Sequence, residues 1–434
     1  MRLSSMLSVG LACVALALAS PATRALDSTT SQHPSKTAHS HLSTVHHARR
    51  HARRIHHSTV AARSASSLRR VHPATVRRST HAYAYRRATL RRTHLRVRRH
   101  RYYERFTASS FARGDIFAGD VTAGEDPVVR QAAIDALGNM NGTAVVINAS
   151  NGRILAMVNQ KLALSPGAEP CSTIKLSVAL AALSEGLVTR DTMVRLPGFR
   201  MNMTEAIAHS NNLYFEELGR ELGFERVHHY ATEFGLGELA GWQIQGEHLG
   251  EYPDQPLPQT EGGVGRMCSF GQGVSMTPLQ LGALVAAIAN GGTLYYLQHP
   301  TTPEQISDFQ PRIKRVLHIA KYIPELQDGM AGAVEYGTAR SLRTNFRELP
   351  VFGKTGTCSD KGTRFGWFAS YSDTPQGPIV TVVLLEGGRP TFGPRAAELT
   401  GEFYRNLRDR NYFGETTPQT ARVEAHGTLS SGGR

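Results

Sequence analysis

The stretch Ser172-Thr173-Ile174-Lys175 decides how this chain is read. A helix is predicted from Ser172 to Gly186, with the glycine as its C-cap. Residues three apart on a helix share a face, so the Lys175 ammonium can reach the Ser172 hydroxyl. A serine hydroxyl is a weak nucleophile and needs an adjacent base. A lysine serves as that base only if burial or a second cation lowers its pKa. The start of a helix adds free amides and positive potential where an oxyanion would form. Taken alone, the same four residues also describe an exposed helical Ser/Lys pair.

Two more short motifs follow in order. Ser210-Asn211-Asn212 lies between two helical stretches. Its serine and amide, two residues apart, can shuttle a proton and grip a substrate amide; the plain alternative is a helix cap or turn. Lys354-Thr355-Gly356-Thr357 lies on a strand-like run after Val351-Phe352-Gly353. Alternation puts Lys354 and Gly356 on one face and Thr355 and Thr357 on the other, unless the strand bends at Gly356. Glycine there allows a ligand close to the backbone, and an edge strand can bind a peptide as an added strand. The lysine and the hydroxyls can hold a carboxylate.

In this order the motifs resemble the penicillin-binding-protein and serine β-lactamase superfamily, whose signature is S-x-x-K, a Ser-x-Asn element and K-T-G. The hairpin Val145 to Val158, Phe270-Gly271-Gln272-Gly273, Met276-Thr277-Pro278-Leu279-Gln280, Gly337-Thr338-Ala339 and Gly366-Trp367-Phe368 are similar to that family too. The resemblance covers about residues 120–410. It implies an α+β fold: an antiparallel sheet flanked by helices, plus an all-helical subdomain. It implies that Ser172 attacks the carbonyl of a D-Ala-D-Ala terminus or a β-lactam and that Lys175 takes its proton. Ser210 would relay a proton to the leaving amine, Asn212 would orient the substrate amide, and Lys354 would complete the electrostatics. Thr355, Gly356 and Thr357 would bind substrate, with the amides of Ser172 and Thr357 as oxyanion donors. Some class A β-lactamases carry a disulfide where Cys171 and Cys358 stand, so the resemblance also implies that bridge. The alternative is two buried free thiols; Cys268 is left unpaired. The chemistry calls for no metal and no organic cofactor.

Three functions fit. The first is a D,D-transpeptidase or D,D-carboxypeptidase acting on peptidoglycan stem peptides. The second is a β-lactamase, but the middle motif is Ser-Asn-Asn rather than Ser-Asp-Asn. No segment stands out as a deacylating glutamate loop, although Glu233, Glu247 and Glu251 exist. The third is a non-catalytic β-lactam sensor or wall-docking protein. The interval of 144 residues from Ser210 to Lys354, with Phe270–Gln280 inside it, favours a transpeptidase. Division and elongation transpeptidases usually carry a non-catalytic domain before the catalytic one; here a basic arm takes that place.

Charge separates that arm from the rest. The chain has a net charge of +14, yet residues 31–110 hold 19 Lys/Arg and a single acid, Glu104. The remainder is slightly acidic, so a nucleic-acid function is not read from the overall charge. Residues 26–110 form an Arg/His-rich arm with little to bury, predicted to be disordered. It is read first as a solvated tether and second as a ligand for anionic envelope polymers or a membrane surface. Before it, Arg2 and the apolar stretch Met6–Ala19 read as an export signal over residues 1–25, with Ala17-Leu18-Ala19 or Ala25 near the cleavage point. The stretch is short for a bilayer span; left uncleaved, it would anchor the protein. The location implied is the periplasm or cell envelope. Residues 111–413 form the folded domain and 414–434 a loose tail.

Within the domain the sequence predicts helices over Pro127–Leu137, about 204–222 and 224–234, Thr277 to Asn290, about 316–335, and from Arg395 to about Tyr412. Strands are predicted at Thr143–Asn148, Arg153–Val158, 351–357, 364–372 and 378–386. An Asn151-Gly152 turn joins the first two. Strands at both ends predict a sheet completed by both termini. His209, His228 and His229 are read as structural or surface residues.

Overall fold

The computed structural model describes residues 107–414. The export signal, nearly all of the basic arm and the tail beyond Gly414 lie outside the described residues.

Five strands form one antiparallel sheet: β1 (Gly142–Asn148), β2 (Ile154–Val158), β7 (Phe352–Asp360), β8 (Thr363–Thr374) and β9 (Gly377–Gly387). Their order is β2-β1-β9-β8-β7, so the early hairpin pairs with the last strand and β7 is an edge. The strands are apolar on both faces, and alternation sorts the faces. Val145 and Ile147 join one core with Trp367, Tyr371 and Val382. Ala144 and Val146 join the other with Phe368, Val383 and Leu385.

Helices cover both faces. α1 (Pro127–Leu137) packs on the second core, its start capped by Asp126, which accepts from the amides of Val128 and Val129. The C-terminal helix Gly393–Asp409 packs beside it. The first core is built on α2 (Lys175–Ser184), buried on every side as a central helix must be. α3 (Met203–Ala208), α4 (Asn212–Glu233), α5 (Gly263–Phe270) and α6 (Pro278–Ala289) surround it. Thr277 and Gln280 close a capping box at the start of α6. α4 is broken at Gly223, whose φ of 73° is left-handed. α7 (Ile323–Glu335) runs back toward β7, and the C-terminal helix is α8.

The structure departs from the sequence reading in five places. The helix predicted over about 204–222 is interrupted: α3 ends at Ala208 and α4 starts at Asn212. The Ser172 region is not yet α-helix: Cys171–Ile174 is a 3-10 turn and α2 starts at Lys175. The predicted helix over 316–335 is shorter, because Ile313–Val316 is β6, paired with β5 (Thr293–Tyr295). Pro324 lacks the amide a helix interior needs and fixes the first turn of α7. A second small hairpin, β3 (Val194–Leu196) with β4 (Phe199–Met201), is not in the sequence reading, although Pro197-Gly198 marks its turn. Finally, residues 107–110, assigned to the arm, are folded. The Thr107 amide donates to the Arg389 carbonyl at 2.7 Å, and the Thr391 hydroxyl donates to the buried Ser110 hydroxyl at 3.0 Å. Hydroxyl and backbone contacts anchor this segment, and hydrophobic patterning cannot register them.

A buried ionic cluster fastens the leading segment to the sheet. Arg130 bridges Asp120 at 2.7 Å and Glu125 at 2.8 Å. Glu125 also accepts from the Met157 amide and contacts His299 Nε2 at 3.0 Å, while Asp120 accepts from the amides of Asn159 and Gln160. Removing one partner leaves buried carboxylates unpaired, so Arg130→Met is expected to destabilise the fold by about 3–5 kcal/mol. Urea unfolding of both proteins measures this; a change below about 1 kcal/mol would remove the cluster from the fold's main supports.

Candidate active site

Two segments meet beside β7. The 3-10 turn Cys171–Ile174 carries Ser172 and delivers Lys175 to the start of α2. In a 3-10 turn residues i and i+3 eclipse, so the shift from α to 3-10 keeps the pair together: Lys175 Nζ lies 3.0 Å from Ser172 Oγ. The turn between α3 and α4 carries Ser210, Asn211 and Asn212. Ser210 has a φ of 55°, a left-handed conformation that non-glycine residues adopt only under local constraint. Asn211 caps α4 through the Tyr214 amide. In this turn the Ser210 carbonyl lies 2.8 Å from Lys175 Nζ and Asn212 Oδ1 lies 2.6 Å from it.

Lys354 completes the cluster from β7. Its Nζ donates to Ser210 Oγ at 2.8 Å and to the Thr355 carbonyl at 2.9 Å. Lys175 Nζ also reaches Ser210 Oγ, at 3.2 Å. One hydroxyl thus stands between two ammonium groups, both fully buried. Burial, then the charge of Lys354, push the Lys175 pKa well below its ordinary value, against the opposing pull of Glu216. Burial brings Lys354 down to about 7.

This arrangement suits a base. A neutral amine has two N–H groups and one lone pair. The Ser210 carbonyl and Asn212 Oδ1 can only accept, and they take the two N–H groups. The lone pair is then left for a hydroxyl proton, and Ser172 is in range.

The third motif alternates as predicted. A Cβ on Gly356 would lie 2.8 Å from the Pro170 carbonyl, so this side of β7 presses against the turn that carries Ser172. On the other side the Thr355 hydroxyl donates to Thr338 Oγ1 at 2.7 Å, and Thr357 Oγ1 accepts from the Gly393 amide at 2.8 Å. Cys171 and Cys358 form a disulfide with a Cα separation of 5.5 Å. Each cysteine neighbours one of the two residues named as oxyanion donors, Ser172 and Thr357. The Glu169 carbonyl adds a second tie, accepting from Trp367 Nε1 at 3.0 Å. Cys268 is buried and free.

Two neighbours were missed by sequence reasoning. Glu216 acts on Lys175 through space, and its position four residues after Asn212 on one helix was a signal available in the sequence. Thr338 holds Thr355; Gly337-Thr338-Ala339 was noticed as a motif without a role. Glu233, Glu247 and Glu251 are not brought to Ser172: the Glu247 carboxylate accepts from the amides of Ala240 and Gly241, Glu233 faces His229, and no hydrogen bond among the described residues joins any of the three to Ser172 or Lys175.

A five-stranded antiparallel sheet between helices, with a Ser/Lys pair at the foot of a central helix, defines the transpeptidase class of fold. The family model described as penicillin binding protein transpeptidase domain matches residues 142–405, and the chain belongs to that family. Stage V sporulation protein D of Bacillus subtilis is 28% identical over 317 residues, covering 61% of this chain and 48% of that protein. The peptidoglycan D,D-transpeptidase MrdA of Acinetobacter baumannii is 26% identical over 291 residues, covering 53% and 41%. The chain therefore spans less than half the length of these relatives. Among solved structures, PBP2 of Pseudomonas aeruginosa has a TM-score of 0.56 at 24% identity, covering 66% of this chain and 74% of that one. Penicillin binding protein 3 of Mycobacterium tuberculosis, complexed with aztreonam, has a TM-score of 0.53 at 23% identity, covering 65% and 76%. These two share the fold.

The buried lysines set a stability test. Lys354 has a folded pKa near 7 against an ordinary 10.5. Between those values the unfolded chain binds more protons than the folded one, so stability rises with pH across that window. Lys354→Met should flatten this slope and raise the thermal midpoint at pH 7. Thermal scans from pH 6 to 10 measure both, and an unchanged slope in the variant would contradict the assignment.

Proposed function

We propose that this protein is a D,D-transpeptidase or D,D-carboxypeptidase that works through a Ser172 acyl-enzyme on peptidoglycan stem peptides. The observation that carries the reading is the 3.0 Å contact between Ser172 Oγ and a buried, pKa-depressed Lys175. Ser172 attacks the carbonyl before the terminal D-alanine while Lys175 takes the hydroxyl proton. The tetrahedral oxygen rests on the amides of Ser172 and Thr357, worth roughly 3–4 kcal/mol for each donor. Ser210, between the two lysines, returns a proton to the leaving amine, and the C–N bond breaks. Asn212, whose Oδ1 is committed to Lys175, holds the substrate amide with its NH2 group. Lys354 offers positive charge to the substrate carboxylate near Thr355 and Thr357. Gly356 keeps the edge of β7 close to the turn, where a peptide can lie as an added strand. The same acylation applies to β-lactams.

The apolar stretch Met6–Ala19 and the basic segment 26–106 support an exported enzyme, with the segment as a cationic tether to the envelope. No helix among the described residues is long and apolar enough to cross a membrane.

Fluorescent penicillin is expected to label the protein covalently, and Ser172→Ala is expected to remove the label. Retention of the label in that variant would move the nucleophile elsewhere. Terminal D-alanine release from a pentapeptide separates an enzyme from a sensor. The acylation rate should rise with pH on a limb set by Lys175, well below pH 10. Glu216 raises the Lys175 pKa, so Glu216→Gln should shift that limb to lower pH. A shift to higher pH, or none, in stopped-flow acylation would oppose Lys175 as the base.

A further inference from the structure

The first turn of α4 brings more to Lys175 than Asn212. Residues three and four apart on a helix share a face, so Asn212, Phe215 and Glu216 lie on one side of it. Asn212 Oδ1 lies 2.6 Å from Lys175 Nζ, and Glu216 acts on the lysine through its charge. Phe215 adds a ring. Lys175 Nζ stands over that ring, 5.4 Å from its centroid, and both side chains are fully buried. The Tyr214 ring meets the Phe215 ring at 64°, with centroids 5.4 Å apart, and helps to fix its plane.

A ring and an oxygen act differently on a lysine. The Ser210 carbonyl and Asn212 Oδ1 need only an N–H, which amine and ammonium both offer. A ring face carries negative potential and attracts the ammonium, most strongly where water is excluded. Phe215 is therefore a contact that tells the two protonation states apart. Two charges around Lys175 do so as well: Lys354 on β7 disfavours the ammonium and Glu216 favours it. The charges on other elements packed against α2 are engaged elsewhere. On α5, Arg266 lies over the Phe270 ring at 4.0 Å; on α7, Asp328 and Glu335 pair with Arg190 and Arg343. Burial pushes the Cys268 thiol of α5 up to about 12, so it is uncharged.

We infer that Phe215 is a positioning residue of the acylation step, its ring face holding the Lys175 ammonium that forms as Ser172 loses its proton. The inference rests on the acyl-enzyme reading above and deepens it, since it adds the group that meets the new charge. As Ser172 Oγ bonds to the substrate carbonyl carbon, its proton passes to Lys175 Nζ, and a positive charge appears beside Lys354. The ring gains its attraction only as that charge develops. A contact of this kind lowers the barrier to the step, where a contact made equally before it would not. Phe215 is buried and acts through the lysine.

The test replaces Phe215 in the full chain with singly, doubly and triply fluorinated phenylalanine. Fluorine drains negative potential from the ring face and leaves the ring's shape nearly unchanged. Stopped-flow acylation by a fluorescent penicillin is followed across pH, and the midpoint of the rising limb is read. A weaker ring face favours the ammonium less, so the midpoint is expected to move to lower pH with each fluorine, by about one pH unit over the series. A ring that only fills space leaves the midpoint in place, and an unmoved midpoint across the series overturns the inference. Glu216→Gln keeps the two readings apart. If it shifts the limb and fluorination does not, Lys175 stands as the base and Phe215 falls alone. If neither shifts the limb, another group sets it and both readings fall.

Discussion

The site depends on one hydroxyl held between two buried lysines. Ser210 Oγ is 2.8 Å from Lys354 Nζ and 3.2 Å from Lys175 Nζ. Two ammonium groups that close and that buried cannot both keep their protons at ordinary strength. The mutual repulsion and the loss of water work in one direction, toward a free amine near Ser172. The architecture brings this about by convergence. α2 supplies one lysine from the centre of the helical core, β7 supplies the other from the sheet edge, and the α3–α4 turn inserts the hydroxyl between them. None of the three segments creates the base by itself.

Holding this arrangement works against folding, so the surroundings are stiff. Cys171 and Ser210 both adopt left-handed backbone conformations, at φ of 53° and 55°. Such conformations persist where neighbours overdetermine them. The disulfide closes a separation of 187 residues, worth roughly 5 kcal/mol at most in the chain-entropy model. It lies between the turn that carries Ser172 and the strand that faces it, where displacement would separate the Ser172 and Thr357 amides. The packing of Gly356 on Pro170 and the bond from Trp367 to the Glu169 carbonyl brace the same junction.

How much of this was legible follows from the range of each interaction. Ser172 and Lys175 could be paired from sequence because i and i+3 meet in either helical form. The β1–β2 hairpin was legible because Asn151-Gly152 stands between two apolar runs, and the helix-flanked sheet because the motifs resemble a family that has one. The hairpins β3–β4 and β5–β6 were not, because strands of three or four residues carry too few alternations to count. The helix predicted over 316–335 ignored Pro324, a local signal with a clear steric meaning. The left-handed Ser210 could not be read, since no glycine marked it and the lysine that holds its carbonyl lies 35 residues earlier.

The same distinction bears on the two sides of β7. Lys354 and Gly356 face the lysine cluster, and their side could be argued from motif and alternation alone. Thr355 and Thr357 face Thr338 and the start of α8, contacts that exist only after the sheet has closed against both helical layers. A reading from motifs therefore finds the Ser172/Lys175 pair, which is local. The neighbouring surface is assembled by tertiary packing: three arginines after α7, one histidine before Ser210 and a threonine tied to β7. Its basic residues are visible in the sequence, but which of them Glu335 and Glu205 engage depends on the turns that follow α7 and α3.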